Sequence, residues 1–140
     1  MKFCALIAST TLSSFVVSAS LYATPVDDLL VEYRSTGVET FSAEAGKALW
    51  SQEFTNAKTG KIRQCTTCHT ADLRKEGKHA RTGKVIKPLA PSVNPKRLTD
   101  VKKIRKWFKR NCKWTLGREC NAQEKGDMLL FIQNFNGEQQ

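Results

Sequence analysis

Residues 64–70 read QCTTCHT, and this stretch limits what the chain can fold into more than any other. Two cysteines separated by two residues, with histidine directly after the second, have the spacing for covalent haem attachment. A short turn puts both sulfurs on one side, where they can add to the two haem vinyl groups. The next residue then projects its imidazole beneath the iron. Cys65 and Cys68 are therefore read as thioether links, His69 as the proximal iron ligand, and one covalent haem c as the cofactor. Zinc is a rival, since Cys65, Cys68, Cys112 and Cys120 could supply four thiolates. The adjacent histidine and the export signal described next argue against it. A thioredoxin-type pair would need a βαβ pattern that the flanking sequence lacks.

The chain of 140 residues begins with Lys2, an apolar run through Leu6, Ile7, Phe15, Val16 and Val17, and then small residues. Positive, then apolar, then small is the order of a secretory signal. Cleavage is placed after Ala23, with Ala19 as the second choice. Ser9, Thr10, Thr11, Ser13 and Ser14 interrupt the run, which falls short of the ~20 apolar residues of a membrane span. Residues 24–140 then form one periplasmic domain with no span, and a monomer is the default. Cys4 leaves with the signal. Cys112 and Cys120 stay as an even remainder in an oxidising compartment, where a disulfide is the default.

Charge is uneven. The formal net charge is +10, and residues 58–113 carry eighteen basic against three acidic side chains. Such a stretch often meets nucleic acid, but export argues against that partner. An acidic protein or an anionic membrane surface fits better, with charge steering the encounter. For any single lysine, a solvated face is an equally good account.

Four helices are predicted. Thr24 caps the first, with Pro25 at its opening position and Val26, Leu29, Leu30 and Tyr33 on one stripe until Gly37. Ser42 caps the second, where Ala45, Ala48 and Leu49 face one way and Gly46 permits close approach. The third runs from about Asp100, capped by Thr99, to about Cys112. The fourth runs from about Ala122 to Phe135, with Met128, Phe131, Ile132 and Phe135 at buried spacing. Residues 82–98, rich in Pro, Gly and Lys, read as an ordered loop. The fold class is all-α. By analogy it is a small class I-like cytochrome c fold around one haem, with crossed terminal helices.

His69 needs an acceptor for its other ring nitrogen. By likeness to small cytochromes c, the backbone carbonyl of Pro88 in IKPLAP is the candidate. Three residues compete for the sixth iron position. Met128 lies on an apolar helical stripe and suits packing, and His79 sits in a charged loop. Asn111 falls inside the apolar arc formed by Val101, Ile104, Trp107, Phe108 and Cys112 on the third helix, with lysines on the far side. A buried amide without partners costs about 1–3 kcal/mol, so Asn111 either bonds the helix end or coordinates the iron.

The stretch FKRNCKWTLGREC, following CTTCH and IKPLAPSVNPKRLTD, resembles the oxygen-binding cytochromes c called sphaeroides haem proteins, over essentially the whole mature chain. That resemblance implies Asn111 as the distal iron ligand and a Cys112–Cys120 disulfide beside it. It also implies a dihaem cytochrome c, linked to a membrane cytochrome b, as the electron donor. An amide oxygen is a hard, weak ligand that suits ferric better than ferrous iron. Reduction should therefore free a position for O₂, CO or NO. Three functions follow. The first is a ligand-binding redox cytochrome, with oxidoreductase chemistry on O₂ or NO as its enzymatic extension. The second is a six-coordinate electron carrier using His79 or Met128. The third is a gas sensor, for which the chain shows no output domain.

Overall fold

The computed structural model describes residues 23–57 and 59–137. The segment read as a signal therefore lies outside the described residues, Ala23 excepted. Five helices and two short hairpins are described, in chain order: α1 Pro25–Arg34, α2 Ala43–Ser51, β1 Phe54–Thr55, β2 Ile62–Arg63, α3 Thr66–His69, β3 Gly77–Lys78, β4 Val85–Ile86, α4 Val101–Thr115 and α5 Ala122–Gln133. The all-α class holds, since each antiparallel pair, β1 with β2 and β3 with β4, has only two residues a strand. Among the described residues no helix is long and apolar enough to cross a membrane.

Local chemistry sets the helix ends. Thr24 caps α1 in a reciprocal box with Asp27: the Thr24 hydroxyl accepts from Asp27 N, and the Asp27 carboxylate accepts from Thr24 N at 2.8 Å. Asn121 and Glu124 form the same box on α5. Each such cap stabilises by about 1 kcal/mol. The cap of α4 differs from expectation. Asp100 holds that place, its Oδ1 accepting from Lys103 N at 2.9 Å, while the Thr99 hydroxyl donates to Lys96 O. The helix also runs a turn further than expected, to Thr115.

Two apolar clusters make the interior. Val26, Leu29, Leu30 and Tyr33 of α1 pack with Ile104 and Leu129. Trp50, Leu73, Met128, Phe131, Ile132 and Phe135 build the second, together with Cys112 and Cys120. Two glycines bring α5 close to α2, at Gly46, and to the segment just before α2, at Gly126. A Cβ on Gly46 would stand 2.2 Å from the Asp127 carbonyl oxygen, and one on Gly126 would stand 2.1 Å from the Phe41 ring. Gly46 and Trp50 are the buried residues of α2, whereas Ala45 and Ala48 are exposed. The close approach expected at Gly46 is present, whereas Ala45 and Ala48, expected on the packed face, point to solvent. Asp127 fixes the junction, its Oδ1 accepting from Ser42 N at 2.7 Å and from Gln123 Nε2 at 2.9 Å. Residues 82–98 hold no helix, but Val85 and Ile86 pair with Lys78 and Gly77.

Candidate haem site

CTTCH folds into α3, a single turn, with His69 N bonded to Cys65 O at 3.1 Å. Thr70 ends it in the left-handed region, at φ 64°, and its carbonyl accepts from Trp50 Nε1 at 3.0 Å. The Trp50 ring lies 5.5 Å from the His69 ring, centroid to centroid. From the β3 side, Gly77 packs so closely that a Cβ there would stand 2.1 Å from the Cys68 carbonyl oxygen. The motif therefore rests on an indole and a glycine strand, and both supports come from outside it.

Cys65, Cys68 and His69 line a cavity of about 540 Å³, which Asn111 also lines. The remaining lining is largely apolar, with Leu89, Leu98, Phe108 and Ile132 among it. A volume and lining of this kind are those of a cofactor site. The chemistry of the donors fits a haem. Neither thiol is engaged in a disulfide. Burial raises the Cys65 thiol to about 11, against a lowering contribution from the Thr115 hydroxyl, so it stays protonated at neutral pH. Burial, followed by the charge of Arg97, pushes His69 down to about 4, which leaves the neutral imidazole that iron requires. His69 Nδ1 is buried with no partner among the described residues. No hydrogen bond among the described residues ties up the imidazole, so it is available to ligate a resident group. The four-cysteine zinc alternative does not assemble, because Cys112 and Cys120 are bonded to each other, with Cα atoms 5.6 Å apart. Among the described residues no group of three His, Cys, Asp or Glu side chains converges as a metal cage.

Pro88 requires a correction. Its carbonyl accepts from Asn94 Nδ2 at 2.9 Å and from Arg97 Nε at 2.8 Å. Two donors fill the two lone pairs of that oxygen, and His69 is not among them. Asn111 does not sit buried among the apolar residues of α4 but is exposed on the cavity wall, as is Trp107 at 48%. His79 also lines the cavity, yet its Nδ1 accepts from Arg81 N and Thr82 N and so caps its own turn. Met128 lines the cavity too, but is 4% exposed and packed in the cluster with Trp50 and Phe131.

The sequence reading passed over several residues that build this site. Arg63, just before the motif, donates to Trp114 O at 2.6 Å and stacks 4.5 Å from the Trp114 ring, which latches β2 to the end of α4. Trp50, one turn after Gly46 on α2, was readable as part of the same stripe. Gly77 and Arg97 carry no local signal, since their roles arise only in contact with distant segments.

Residues 36–132 match a family model described as a domain of unknown function, DUF1924. The chain is 41% identical over 104 residues to the cytochrome c-type protein SHP of Cereibacter sphaeroides, covering 74% of this chain and 79% of that protein. Its fold is similar to the structure of oxidised SHP, an oxygen-binding cytochrome c, at a TM-score of 0.69 and 40% identity, over 78% of this chain and 96% of the other. It is also similar to the solution structure of cytochrome c'' from Methylophilus methylotrophus, a protein studied for detachment of a haem ligand. There the TM-score is 0.67 and the identity 33%, over 76% and 90% of the two chains.

Proposed function

Because the chain belongs to the SHP family of monohaem c-type cytochromes, we propose that it is an exported redox protein that binds a diatomic gas at an iron position guarded by Asn111. When bound, the haem supplies one-electron exchange and a coordination place open to a small ligand. Cys65 and Cys68 fix the group covalently, and His69 holds it from one side as a neutral imidazole. Asn111 offers a neutral, hard amide oxygen, which is a poorer partner for ferrous than for ferric iron. It is therefore the residue that yields when the protein is reduced. The Cys112–Cys120 bridge, next in sequence, holds the end of α4 so that Asn111 can leave and return within a fixed frame.

The observation that carries this reading is that Asn111 and His69 line one cavity. The similarity to an oxygen-binding cytochrome c supports the gas as ligand. Engagement of His79 in its own turn weighs against it as the second ligand of a plain electron carrier, and Met128, which also lines the cavity, is packed against Trp50 and Phe131. The mature domain is residues 24–140, released into the periplasm by removal of 1–23. In support, α1 is capped by Thr24, directly after the proposed cut. The exposed lysines Lys102, Lys106 and Lys109 of α4 provide a surface for an acidic electron donor, a dihaem cytochrome c served by a membrane cytochrome b. The test is the visible spectrum of the reduced protein with and without CO. A five-coordinate high-spin spectrum that changes rapidly with CO is expected; a sharp low-spin band indifferent to CO would leave an ordinary carrier.

A further inference from the structure

The cavity is apolar, yet its charged lining is one-sided: Arg81, Lys96, Arg97, Lys103 and Arg110 against a single carboxylate, Asp100. That carboxylate is committed, since it caps α4 and faces Lys103, with Oδ2 3.6 Å from Nζ. Four of the five cations are exposed side chains that water can solvate. Arg97 is the exception. It is partly buried, and burial lowers its pKa, so the site makes its charge costly to keep.

Its position is also fixed. Nε donates to Pro88 O at 2.8 Å and Nη2 donates to Lys87 O at 2.6 Å, so two neutral carbonyls clamp the guanidinium plane. Among the described residues no carboxylate stands within ion-pair distance of it. A partly desolvated cation in a low-dielectric wall is paired in stable proteins. The carbonyls satisfy part of its donor fork and none of its charge. The group this cavity takes carries two carboxylates as propionates, and a guanidinium with donors to spare suits a carboxylate better than any other side chain does.

We propose that Arg97 is the counter-ion of a haem propionate, held ready by the carbonyls of Lys87 and Pro88, and that its charge helps to set the haem potential. This inference rests on the covalent haem and on nothing assigned to Asn111. It explains why the Pro88 carbonyl is taken by an arginine where the sequence reading placed a bond from His69. It also makes the loop 87–97 a cofactor-binding element in its own right, with Asn94 bracing the same oxygen.

The test uses the mature holoprotein, in which thioether links retain the haem whatever happens at Arg97. Arg97→Gln should lower the midpoint potential at low ionic strength, because loss of a nearby positive charge disfavours the added electron. Arg97→Lys should restore most of the shift. An unchanged potential in Arg97→Gln, or an equal fall in both variants, overturns the proposal. A second measurement needs no variant. In the wild type, NMR of the propionate methylene groups against pH should show one propionate ionised well below the ordinary carboxylate range. Two propionates titrating together within that range would also overturn it. The CO spectrum tests Asn111 separately, so the two readings fail independently.

Discussion

Gly77→Ala isolates the support beneath the attachment motif. Gly77 is buried and lacks the left-handed backbone that would by itself exclude alanine. The obstacle is contact: an added Cβ would stand 2.1 Å from the Cys68 carbonyl oxygen and 3.0 Å from the His69 Cα. Real Cβ atoms essentially never approach nearer than 3.0 Å, so strand and turn must part by about 0.9 Å. Neither neighbour can rotate aside, because both are backbone atoms of α3. Overpacking of this kind costs about 1–3 kcal/mol. Reduced freedom of the unfolded chain returns about 0.4–1 kcal/mol. The net loss is on the order of 1–2 kcal/mol, or roughly 4–8 °C in Tm for a domain of this size. Thermal unfolding of the ferric holoprotein reads the loss, and its absorption spectrum reads the displacement of His69. A Tm equal to or above the wild type, with an unaltered spectrum, would refute the proposed support.

Four further outcomes are expected. Asn111→Ala should convert the ferric iron to a high-spin or water-ligated form, and an unchanged ferric spectrum removes Asn111 from the iron. Opening the Cys112–Cys120 bridge by double serine substitution should cost about 2–3 kcal/mol in the chain-entropy account; an unmoved denaturation midpoint contradicts it. Burial, with a smaller contribution from Glu32, raises Tyr33 to about 12. The folded state thus keeps its proton longer than the unfolded state, so the stabilisation is complete below about pH 10 and is lost as pH rises towards 12. Tyr33→Phe should escape a loss on the order of 2 kcal/mol across that window, and parallel alkaline unfolding of both proteins would sink the idea. Electron transfer from an acidic donor should slow with ionic strength; a salt-independent rate clears the lysines of that role.

What the sequence disclosed follows the range of the forces involved. The cap at Thr24 and the apolar stripe of α1 depend on neighbours within a turn or two, and the structure places them where local rules do. The attachment turn is equally local, because its spacing answers to the shape of a porphyrin. Errors begin where two adjacent residues are equally competent. Thr99 and Asp100 can both cap a helix, and the left-handed backbone of Leu98, at φ 58°, precedes the choice in favour of Asp100. They continue where an atom has several suitors. Pro88 offers one carbonyl, and the guanidinium of Arg97 and the amide of Asn94 reach it. On α2 the close approach at Gly46 is legible, but Ala45 and Ala48 are not buried with it, because alanine is apolar enough to suggest burial and small enough to tolerate exposure.

The order of the site's parts along the chain has a consequence for assembly. Cys65, Cys68 and His69 lie within five consecutive residues, and their turn closes on its own hydrogen bonds. Asn111 arrives from a helix far downstream, brought home only by tertiary packing. A peptide ending before α4 would already hold both thiols and the imidazole, but neither Asn111 nor the apolar wall that α4 and α5 supply. Under the function proposed above, attachment of the pigment draws on one local turn, while control over its vacant side waits on the packing that brings α4 into place.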